Sequence, residues 1–173
     1  MGTIRLQDLD VGSLESTQDK VENYSSELFK VVQSIVEPYS KDLDKYVKFI
    51  RECLNDGENP PTNEELDDFC MNLSTLIYFA GSMCEQIGIK DDISKAIYKE
   101  VYHSSRSSGS GTVADKDSFA ELESQREQLV NMCYNRAYKI MKAKVENAQE
   151  LLGSCKKVLS RRMSEFELTR LQR

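Results

Sequence analysis

Residues 117–173, DSFAELESQREQLVNMCYNRAYKIMKAKVENAQELLGSCKKVLSRRMSEFELTRLQR, contain no proline and a single glycine, Gly153. Their apolar positions recur at helical spacing: Leu129/Val130, Cys133, Ala137, Ile140/Met141, Val145, Ala148, Leu151/Leu152, Cys155, Leu159, Met163 and Phe166. The stretch predicts one helix on the order of 80 Å long. The remainder of a 173-residue chain does not readily cover such a stripe, so an elongated bundle that self-associates is expected. Val130, Cys133, Ala137, Met141, Ala148, Leu151, Leu152, Cys155, Leu159, Met163 and Phe166 are its expected homo-oligomer interface. The stripe also repeats every eleven residues, in the rows Val130–Met141–Leu152–Met163 and Leu129–Ile140–Leu151. A third row, Cys133–Cys155–Phe166, is interrupted by Lys144. Eleven residues in three turns favours a nearly straight coiled-coil seam.

Upstream of this helix, Ser118 and Glu121 have capping-box spacing and open it. HSSRSSGSGT at 103–112 begins a flexible Ser/Gly loop that is expected to reach residue 116. Asp91 can cap a short helix holding Ile93, Ala96/Ile97 and Val101, and Gly88 is placed to end the helix before it. That earlier helix starts at the capping-box pair Thr62 and Glu65 and carries the most apolar stripe of the chain, from Leu66 to Ile87. This stripe is the expected centre of the core. NDGENPPT, residues 55–62, reads as loop. Before it, Val21, Tyr24, Leu28, Val31/Val32 and Ile35 mark one helix face, and Tyr39, Leu43, Tyr46/Val47, Ile50 and Cys53/Leu54 resume it. Pro38, lying between them, predicts a kink or restart. Residues 1–16 read as a mobile arm and 17–102 as a helical region. No stretch reads as a strand and no solenoid repeat is visible. The fold class expected is all-α, an elongated helical bundle.

Charged residues make up 30% of the chain and hydrophobic ones 39%, the balance of a soluble domain with a modest core. No apolar run reaches the length of a membrane span, and no signal-peptide core follows Met1, so a cytoplasmic protein without a membrane partner is expected. MGTIRL lacks the Ser or Thr of a myristoylation signal. The five cysteines, Cys53, Cys70, Cys84, Cys133 and Cys155, never form a CxxC pair and fall on apolar helix faces, as reduced core residues do. With one histidine, a zinc site lacks ligands. The net charge of −6 is unevenly spread: residues 125–173 hold eleven Lys+Arg and five Asp+Glu, leaving twelve and twenty-four for residues 1–124. Such segregation points either to partner choice or to opposite halves packing across neighbouring subunits.

The motifs of hydrolysis and group transfer are missing: no GxSxG, no GxxxxGK[ST], and no GxGxxG after a strand. A non-enzymatic protein without metal or cofactor is expected. Ser108-Gly109-Ser110-Gly111 has the composition of a linker rather than the strand and lysine of a phosphate cradle. His103, at the mouth of that loop, reads as a solvated residue near a helix end. Glu64, Glu65, Asp67 and Asp68 occupy a first helical turn, where carboxylates complement the dipole without an ion.

The basic residues suggest more. Arg136, Lys139, Lys157 and Arg161 share an arc opposite the apolar stripe, with Glu146 and Glu150 between them. Such a face can track a phosphate backbone, or be a solvated face with i,i+4 pairs such as Lys142–Glu146. A second group, Lys95, Tyr98, Lys99, Tyr102, His103 and Arg106, interleaves cations with rings. Single-strand binding uses that mixture for phosphates and base stacking; tyrosines in helix packing give the same pattern.

KAIYKEVYHSSRSSGSG from Lys95, an acidic start to the last helix, and the closing LLGSCKKVLSRRMSEF together resemble the phage UvsY-type recombination mediators. The similarity covers about the last half of the chain, in order and residue class. It implies a helical homo-oligomer that binds single-stranded DNA, works with single-strand-binding protein and helps load a recombinase, in a host cytoplasm. By position it implies Lys95, Lys99, Tyr102 and Arg106 as DNA contacts. An N-terminal half that is longer and more acidic, and a serine-rich loop around Arg106, depart from the family's pattern. The alternative function is a structural or adaptor helical oligomer, such as a phage assembly factor, without nucleic-acid affinity.

Overall fold

The computed structural model describes residues 11–171, and these are all-α. Four helices follow in order: α1 Val11–Asn55, α2 Asn63–Ser108, α3 Val113–Glu123 and α4 Gln125–Leu171. The expected arm at 1–16 lies outside the described residues up to position 10, and from Val11 it is helix.

α2 and α4 form the main antiparallel pair. Their register is fixed by Gly88 beside the Tyr138 ring, Ser94 beside Asn131 and the Pro61 carbonyl beside Arg162. α1 lies along this pair, with Lys144 bonded to Asp44 and Lys90 over the Tyr39 ring. Phe49 meets Phe69 edge-on, centroids 5.8 Å apart. The core draws on all three long helices: Val32, Val36, Leu43 and Ile50 from α1, Leu66, Leu73, Ala80 and Ile87 from α2, and Ala137, Met141, Ala148 and Cys155 from α4.

That core corrects the expected oligomer interface. Cys133, Ala137, Met141, Ala148 and Cys155 are buried inside the chain itself, and Leu151, Leu152 and Leu159 are half-buried against the same cluster. Of the assigned residues only Val130, Met163 and Phe166 stay exposed. The reason is length: α1, α2 and α4 have 45, 46 and 47 residues, so two helices as long as α4 cover its stripe. Lys144, which interrupts the third row, reaches Asp44 instead of facing the core.

Several boundaries also differ from the expectation. α1 runs through Pro38 without restarting. A mid-helix proline costs about 3 kcal/mol, and Val36, Ser40 and Leu43, buried on either side of it, offset that. α2 does not stop at Gly88. Gly88 is helical, and a Cβ there would sit 3.1 Å from Tyr138 Cε2, so its use is close approach to α4. Asp91 opens no helix; its carboxylate accepts from Asn131 and Asn135 across the α2–α4 seam. The loop expected over 103–116 shrinks to 109–112, because α2 continues to Ser108 and Thr112 caps α3. Thr112 and Asp115 satisfy one another's backbone N–H groups, so the capping box lies six residues before the Ser118/Glu121 pair. Within the expected single C-terminal helix, Ser124 separates α3 from α4. Its buried hydroxyl donates to the Ala120 carbonyl, the serine back-bonding that bends helices. Gly153 lies within unbroken helix.

Candidate nucleic-acid interface

The tertiary structure divides the basic residues into three groups. Lys95 and Lys99 are exposed on α2 and form no ion pair among the described residues. The two residues grouped with them have other duties. Arg106 Nε bonds Asp117 Oδ1 at 2.5 Å, tying the end of α2 to α3. Tyr102 is half-buried, its ring 6.3 Å from Tyr98 and 5.6 Å from His103. Partial desolvation, and then the Asp117 carboxylate, push its hydroxyl pKa up. Of the expected four-residue contact group, Lys95 and Lys99 are exposed lysines without ion pairs among the described residues, and Tyr102 and Arg106 stand at an α2–α3 clasp. His103 is exposed but lies within α2 rather than in a loop.

The second group is Arg136 and Lys139. Both are exposed on α4 and line an open groove of about 500 Å³ with Ser25, Leu28, Phe29 and Val32 of α1 and Ile140 and Ala143 of α4. Neither has an ion-pair partner among the described residues. Phe29 is 53% exposed at the same groove. Cations and an exposed aromatic ring thus stand side by side along an open groove, the combination of side chains that single-strand binding uses. Phe29 escaped the sequence reading, although the signal was there. It lies just outside the α1 stripe of Leu28 and Val31/Val32, where an aromatic side chain is not required for packing.

Lys157 and Arg161 form the third group. They project from α4 about 27 Å from Lys139 along the axis, near the α1–α2 connection where Arg162 donates to the Pro61 carbonyl. Arg161 pairs with Glu165 at 3.5 Å. Glu146 and Glu150 are exposed between this group and Lys139. The arc read from the sequence is therefore two separate cationic spots with carboxylates between.

Other features bear on chemistry. Cys70, Cys84, Cys133 and Cys155 are buried free thiols, and burial pushes their pKa values up, away from nucleophilic thiolate. Glu65 of the acidic cluster serves the α2 cap, where the Thr62 backbone N–H and then its hydroxyl hold its carboxyl below the usual range. Among the described residues no group of three or more His, Cys, Asp or Glu is placed to hold a metal ion. No described helix is long and apolar enough to cross a membrane. No protein family, curated protein or solved structure matches the chain.

Proposed function

We propose that the protein is a non-enzymatic single-stranded-DNA-binding protein of the recombination-mediator kind, binding the strand along the α1–α4 groove. The observation that carries this reading is the juxtaposition of Arg136 and Lys139, two exposed cations without acidic partners among the described residues, with the exposed Phe29 ring. Lys95 and Lys99 are two further exposed cations, on the half of α2 that leads to α3. On the resemblance to UvsY-type mediators, the bound strand would be handed to a recombinase in the presence of single-strand-binding protein, by a homo-oligomer in a host cytoplasm.

Salt-titrated binding of a fluorescent oligonucleotide tests the reading. Affinity should fall steeply with salt, and Arg136→Ala and Lys139→Ala should each flatten the log–log slope by about 0.7. Phe29→Ala should weaken binding by about 1–3 kcal/mol without changing the slope, because stacking releases no counterions. Arg106→Ala should change little, since that guanidinium is engaged by Asp117. Absent or salt-independent binding, or binding indifferent to all these changes, would refute the proposal.

An adaptor function without nucleic acid is favoured by a different observation. Tyr78 and Phe79 stand 76% and 57% exposed on α2, ring centroids 5.6 Å apart, with Met71 also exposed on that helix. A protein partner would cover such an aromatic pair. This reading predicts no oligonucleotide affinity at any salt concentration.

A further inference from the structure

The third helix of the bundle leaves its seat before the other two end. Residues 15–27 of α1 are exposed at every position, and Val21 and Tyr24 stand 60% and 75% exposed. Below them α1 leans on α4, where Leu28, Phe29 and Val32 meet Arg136, Lys139 and Ile140. The seam between α2 and α4 at this level is left open. It forms a groove of about 490 Å³ lined by Lys90, Ile93, Ser94 and Ile97 of α2 and Arg126, Glu127, Val130 and Tyr134 of α4. Ile93, Ile97 and Val130 are 54%, 46% and 45% exposed. Lys90 belongs both to this groove and to the α1 seat, through the Tyr39 ring. The groove is therefore continuous with the seat of a helix.

We propose that the occupant is the exposed part of α1 from a second copy of this chain. The arm carries the pattern the groove needs. Val21 and Tyr24 lie three residues apart on one side of the arm and exposed Val31 continues that row at heptad spacing, the pattern of a helix laid into a two-helix groove. Its charge is complementary: residues 15–27 hold Glu15, Asp19, Glu22 and Glu27 against Lys20, while Lys90 and Arg126 stand at the groove walls. One polar atom there lacks what the arm offers. Glu127 Oε2 is buried with no hydrogen-bond partner among the described residues. The Tyr24 hydroxyl and Lys20 ammonium are donors on the arm, and a buried acceptor left without one is costly. Self-association thus moves from the α4 stripe, which the chain covers itself, to an arm exchanged between copies. Reciprocal exchange closes a two-fold dimer; head-to-tail exchange makes a ring or filament.

The test is the mass of the full chain in solution, without nucleic acid, by sedimentation velocity across a concentration series. Wild type should associate, whereas Tyr24→Asp in the arm and Ile97→Asp in the groove should each lose the oligomer. All the altered positions are exposed, so helical content and unfolding midpoint should be kept. An equimolar mixture of the two variants should regain a complex, because one supplies an intact groove and the other an intact arm. A wild-type monomer at every concentration, an oligomer indifferent to both substitutions, or a mixture that stays monomeric would each overturn the proposal. With no nucleic acid present, that failure leaves the DNA-binding reading to its own test.

Discussion

Truncating Met141 distinguishes a stripe that is core from one that is interface. Its side chain is fully buried among α1, α2 and α4. Met141→Ala removes Cγ, Sδ and Cε, a transfer loss of about 2 kcal/mol at roughly 0.8 kcal/mol per methylene-sized group. The cavity left in a close-packed interior adds to this, within a range of about 2–5 kcal/mol for such truncations. Taking about 3 kcal/mol, the thermal midpoint should fall by roughly 6–12 °C for a chain of this size. Met163 occupies the same eleven-residue row but is 55% exposed, so Met163→Ala should change stability by less than about 0.5 kcal/mol. Chemical denaturation of both variants across a range of protein concentrations measures the difference. The Met141→Ala deficit should be independent of concentration, since the packing around Met141 lies within one chain. A deficit that varies with concentration, or equal effects of the two substitutions, would show that the stripe is not intramolecular core.

Gly81 and Gly153 have open space where a Cβ would go, so Gly81→Ala and Gly153→Ala should each stabilise by about 0.4–1 kcal/mol. At Gly88 the new Cβ meets the Tyr138 ring at 3.1 Å, so Gly88→Ala should gain less or destabilise; a denaturant midpoint raised as far as that of Gly153→Ala would contradict the close approach. The capping boxes predict a pH dependence. Glu65 and Asp115 have lowered folded-state pKa values through hydrogen bonds with Thr62 and Thr112. Their contribution is present above the unfolded-state values and is lost as pH falls through the folded ones. In carboxyl NMR titrations the Glu65 midpoint should therefore rise in Thr62→Ala, which loses the hydroxyl donor and keeps the backbone N–H; an identical midpoint in both proteins would show that the Thr62 hydroxyl does not hold the carboxylate.

Local pattern alone established the class of fold and the faces of its helices. Leu66, Leu73, Ile50, Met141 and Cys155 are buried because helical periodicity places them on one side of their helices, and that is a property of neighbouring residues in the chain. The Thr62–Glu65 cap was equally legible, since its partners are three residues apart. Breakers were less decisive. Gly88 and Pro38 lower local helix preference, but packing on either side outweighs a few kcal/mol, and only the neighbouring helices reveal that. The same limit governs the candidate site. A helical wheel put Arg136, Lys139, Lys157 and Arg161 on one face of α4, yet it could not show that α1 brings Phe29 to Arg136 and Lys139 alone. Nor could it show that Asp117 occupies Arg106 from another helix. What covers a stripe, and which charge meets which, depends on pairings between residues as distant as Asp44 and Lys144, and these exist only once the chain has packed.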